Sequence, residues 1–150
     1  MTGQPLPEMI IDPRLKQGID GVAATFASIA DAEIDACTKD IVATLRESQR
    51  WIEFCDLVTA TILRKGYSVV RGLEADEGRT LLVVSSAIGS SFATYGTGRI
   101  VKRFRMSPWT NELSHTIRAG DFHTDGNVST FPPFYTTMQC EQEDPGGFVI

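Results

Sequence analysis

Histidine is almost missing from this 150-residue chain, which has two, and cysteine is scarce at three. The cysteines, Cys37, Cys55 and Cys140, lie far apart with no C-x-x-C pair. Their odd number and spacing support neither a disulfide framework nor a structural zinc knuckle. They read as free thiols, and Cys37 and Cys55 fall at apolar positions of helical patterns, where a thiol packs as a small hydrophobe. Long apolar runs are also lacking: Leu81 to Val84 is far too short to cross a bilayer. The start, MTGQPLPEMI, has neither the positive n-region nor the apolar h-region of a secretory signal. A soluble, cytoplasmic protein is the expectation. Positive charge is in deficit, with 14 Lys and Arg against 19 Asp and Glu and a net charge of -5. With no basic stripe or tail, the electrostatic footprint of a nucleic-acid binder is absent. No internal repeat or low-complexity segment is present.

What is there suits one ordinary domain: 42% hydrophobic residues and 9% aromatic in 150 residues can build a core. Residues 1–20, with Pro5, Pro7 and Pro13 and little periodicity, read as an extended arm. Residues 21–65 read as a helical region. Ile34, Cys37, Ile41 and Leu45 recur at spacings of three and four, and Ile52, Cys55 and Ile62 continue the theme to Lys65-Gly66, where glycine suits a helix C-terminus. Tyr67 to Val70, closed by Arg71-Gly72, is a strand candidate. Asp76 is placed to cap a helix running through Ile88 to Gly89, weakened by Gly78 and the pair Val83-Val84.

Beyond Gly96 and Gly98, Ile100 to Arg105 is a second strand candidate, and its basic residues read as a solvated face. Thr110 to Gly120 is polar and aperiodic, a long loop of the kind that often carries function. Phe134 to Cys140 alternates as a strand does, and Asp144-Pro145-Gly146-Gly147 is a turn. Phe148-Val149-Ile150 then opens a further strand. An apolar β-prone tripeptide needs a pairing partner, so the fold is expected to be incomplete within these residues.

The sharpest local feature is Asp121-Phe122-His123-Thr124-Asp125-Gly126. In an extended segment, residues two apart face the same side, so His123 and Asp125 are able to reach one metal ion while Thr124 points away. A His-x-Asp alone also fits a surface histidine hydrogen-bonded to a neighbouring carboxylate.

The longer stretch from Asp121 to Gly147, D-F-H-T-D-G-N-V-S-T-F-P-P-F-Y-T-T-M-Q-C-E-Q-E-D-P-G-G, resembles the metal-binding segment of TauD-like, iron(II)- and 2-oxoglutarate-dependent dioxygenases. The shared elements are H-T-D-G, a loop with a Pro-Pro pair, a strand, and an acidic turn ending in Gly-Gly. The helix leading into G-Y-S-V-V-R-G-L and the helix ending at Ile88-Gly89 are similar too, so the resemblance spans most of residues 40–150 and is strongest after Asp121.

The resemblance implies an α+β chain whose residues 66–150 form the first part of a double-stranded β-helix, or jelly roll, with the N-terminal helices packed on it. It implies Fe(II) held by a two-histidine, one-carboxylate triad, of which His123 and Asp125 are the first two members, with 2-oxoglutarate as cosubstrate. The family's distal histidine and its 2-oxoglutarate-binding arginine lie roughly a hundred or more residues further on and have no counterpart here. His115 precedes the motif and does not match that histidine. Where many members have Gly-Gly-x-Thr, this chain has Gly-Gly-Phe-Val, and Val149 cannot donate the threonine's hydrogen bond. In amino-acid-hydroxylating relatives, a loop about ten residues before the first ligand lines the substrate pocket; here that is Asn111 to Thr116, with Ser114 the candidate substrate contact, though a solvated loop fits as well. Phe122 and Phe131, which flank the motif, read as packing residues.

Three readings follow. In the first, the chain is the N-terminal part or subunit of an oxygenase acting on a C–H bond of a small, possibly amino-acid-like molecule, completed by a second chain or a C-terminal half. In the second, it is a non-catalytic binding or structural subunit that docks a partner through an exposed β edge. In the third, it is an unrelated α/β domain in which His-Thr-Asp is coincidence.

Overall fold

A residue that precedes proline is pushed to extended backbone, and a helix N-cap wants that same backbone, so Asp12-Pro13 is a helix start twice over. In the computed structural model, Asp12 sits at φ -61° and ψ 134°, and its carboxylate accepts from the backbone N–H of Arg14 and Leu15 at 2.9 and 3.1 Å. Helix α1, Pro13–Thr25, follows. The structure describes residues 8–26, 40, 42–93, 99–103, 109 and 132–141. They belong to two units, Met1–Phe92 with Thr137–Ile150 and Ala93–Thr136.

In the first unit, strand β1, Glu8–Ile10, precedes α1, so the arm expected over residues 1–20 is corrected from residue 8 onward. Proline breaks a helix in its interior, whereas Pro13 occupies the first helical turn, where its missing N–H costs nothing. After α1 come α2, Ala43–Arg46, and α3, Gln49–Lys65, then strand β2, Val69–Arg71, and helix α4, Arg79–Ser85. The helix-to-strand passage at Lys65-Gly66-Tyr67 is as expected: Gly66, at φ 82°, is the left-handed cap, and its N–H bonds Ile62 O at 2.7 Å.

Strands β1 and β2 pair in parallel, Glu8 with Val69, Met9 with Val70 and Ile10 with Arg71. Parallel pairing demands a long crossover, which the helices supply. The bond from Ile11 N to Arg71 O, 3.1 Å, extends the ladder. On one face of the pair, the Arg71 guanidinium donates to Glu8 Oε1 at 2.7 Å and holds that carboxyl below its ordinary range.

The core is built from helix stripes. Leu15, Ile19, Val22, Ala23 and Phe26 bury one side of α1, which packs on α4 through Leu82 and Val83. Gly18 lets Leu45 come close, since a Cβ there would lie 3.2 Å from Leu45 Cδ2. On α3 the buried residues are Trp51, Phe54, Val58 and Thr61, with the two rings 5.6 Å apart. That corrects the expected stripe: Ile52 is exposed, and Cys55 and Ile62 are half-buried. Both sets have helical spacing, but the aromatic pair offers more area to bury.

Asp76 does anchor α4, although the N-cap position is Gly78 at φ 86°. Its carboxylate accepts from Thr80 N and Thr80 Oγ1 at 2.8 and 2.7 Å. The helix stops at Ser85, and turns carry the chain to Gly89.

The strands expected further on are not formed among the described residues: 100–103 and 134–140 are not in strand conformation, and 104 and 105 lie outside the description. Alternation specifies two faces, whereas a strand exists only when a neighbour takes up its backbone bonds. In the first unit, Thr137 instead exchanges a hydroxyl bond with Ser85, 2.8 Å, and the Gln139 amide donates to Glu74 O. In the second unit, Trp109 and Phe134 are almost fully exposed. No helix among the described residues is long and apolar enough to cross a membrane.

Candidate functional site

The residues that carry the expected chemistry, His123 and Asp125, lie outside the described residues, as do Ser114, His115, Phe122, Phe131, Cys37 and Val149. Their site therefore rests on donor chemistry and spacing. An imidazole nitrogen and a carboxylate oxygen are two of the three donors that an Fe(II) facial triad takes, so they fit the metal in type. The chain's one other histidine, His115, precedes the motif and so does not match the position at which the resemblance puts the third donor. Among the described residues, no group of three His, Cys, Asp or Glu side chains is placed to hold a metal ion.

What the described residues do bring together is a charged cluster that the sequence reading passed over. Lys16 on α1 reaches Asp20 Oδ2 at 2.7 Å and Glu74 Oε1 at 2.9 Å. The Asp20 hydrogen bond, then that of Glu74, raises the Lys16 ammonium above its ordinary range. A cleft of about 260 Å³ beside it is lined by Asp20, Ala24, Glu74, Asp76 and Arg79. The Arg79 side chain donates through Nε to Asp76 O at 2.8 Å, and Asp20 Oδ1 is buried with no hydrogen-bond partner among the described residues. A lysine held charged by two carboxylates is neither a base nor a nucleophile, so this cluster ties α1 to the segment before α4. The signal for it was in the sequence: Lys16 and Asp20 are four apart, the spacing of a helical ion pair, and were hidden only by reading residues 1–20 as extended.

A second groove of about 260 Å³ runs between the β1–α1 junction and α3, with Ile11, Leu15 and Phe54 at its base, Ile10 and Leu57 at its rim, and Arg50 and Glu53 beside them. Arg50 leans toward Asp12 at 3.6 Å across a solvent-exposed gap, a weak pairing. Of the thiols, Cys140 is exposed and Cys55 half-buried. Burial, then the neighbouring Asp56 charge, pushes the Cys55 thiol up, which makes it a poor nucleophile. Neither groove nor thiol assembles a nucleophile, base and orienting group.

No family model, no curated protein and no solved structure matches this chain.

Proposed function

We propose that this chain contributes the first two iron ligands, His123 and Asp125, to an Fe(II)- and 2-oxoglutarate-dependent oxygenase that oxidises a C–H bond of a small molecule. The observation that carries the reading is the run from Asp121 to Gly147, in which H-T-D-G, the Pro132-Pro133 pair, an alternating segment and D-P-G-G occur in the order that TauD-like oxygenases use. The passage from α3 through Gly66 into β2 supports it in a minor way, being the helix-to-strand order expected for G-Y-S-V-V-R-G-L.

In this reading His123 and Asp125 offer their donors from one side of an extended segment, and the third, a histidine, comes from polypeptide outside these 150 residues, either a second chain or a further segment. The iron, when bound, supplies oxygen activation at the expense of 2-oxoglutarate. The chain's own part is to hold two donors in a fixed relation, with Asp125 also balancing the metal's charge. Ser114 is the side chain assigned to the substrate, and amino-acid-like molecules are the class to try first. Val149 offers no hydroxyl to the cosubstrate, so 2-oxoglutarate must be held largely by groups beyond this chain.

The test is 2-oxoglutarate-dependent succinate release in the presence of Fe(II), measured for the chain alone, with a candidate completing polypeptide, and with His123→Ala. The expected result is no turnover alone, turnover with the completing polypeptide, and its loss in the variant. Turnover that ignores His123, or none with any completing polypeptide, overturns the reading. The second would favour a non-catalytic subunit that docks a partner, the alternative for which Val149 and the absent third ligand speak.

A further inference from the structure

We draw no further inference here: the strongest candidate, the apolar groove between the β1–α1 junction and α3 with Ile11, Leu15 and Phe54 at its base, is a surface for which nothing in the structure shows what covers it.

Discussion

Lys16 ties two distant parts of this unit together through its charge. It reaches one carboxylate on its own helix and another, Glu74, far along the chain, at 2.7 and 2.9 Å. Because those partners raise the folded-state value of the ammonium, its contribution to stability is fully present below the ordinary lysine value of 10.5 and is lost as pH rises through the raised one. Glu8 has the opposite sense: Arg71 lowers it, so its contribution is present above the ordinary 4.5 and fades as pH falls through the lowered value. The expected outcome for Lys16→Met is a urea midpoint below wild type at neutral pH and a difference that closes on the alkaline side. Urea titrations at a series of pH values check it. A gap that stays constant through the alkaline range would mean that the methylene stem, not the charge, is what Lys16 contributes.

At the scale of elements, the sequence is legible where a residue type has one physical use and illegible where it has two. Gly66 has one: a helix ends there because only glycine takes φ 82° without strain. Pro13 has two uses, breaker and helix starter, and only Asp12 before it, with a carboxylate able to bond two N–H groups, decides for the helix. The face of α3 was misread for a related reason, since Ile52, Cys55 and Ile62 satisfy the period as well as Trp51, Phe54 and Val58 do. Period fixes the presence of a stripe; the packed area fixes which stripe is buried.

The glycines give a test at this scale. A side chain at Gly66 meets nothing within 4 Å, whereas at Gly72, φ 90°, it would lie 3.3 Å from Ile11 Cγ2. Gly66→Ala should cost about 1–2 kcal/mol, the left-handed strain alone, and Gly72→Ala should cost more, because Ile11 must also give way. Equal costs by urea denaturation would show that Ile11 moves freely, contrary to its place in the core and on the ladder to Arg71.

For the molecule as a whole, the fold of the first unit and the candidate site are legible to different degrees. Helix and strand order from α3 onward followed from local signals in residues 49–71, because caps and periods are short-range. A metal site is a long-range object, and of the proposed one only the first two donors are within reach of pattern, His123 and Asp125, with His115 the chain's one other imidazole. That scarcity makes the assignment testable without knowing the substrate. Cobalt(II), which takes the same nitrogen and oxygen donors as iron(II) and reports its coordination through its visible spectrum, is the probe. If the pair is the site, His123→Ala and Asp125→Asn should each weaken cobalt binding by about tenfold or more, whereas His115→Ala should leave it near wild type. Wild-type affinity itself should be low, since two protein donors leave most of the ion's coordination to water. Loss of binding in His115→Ala comparable to that in His123→Ala would move the site onto the loop before the motif. The His-Thr-Asp spacing would then no longer be the reason for it.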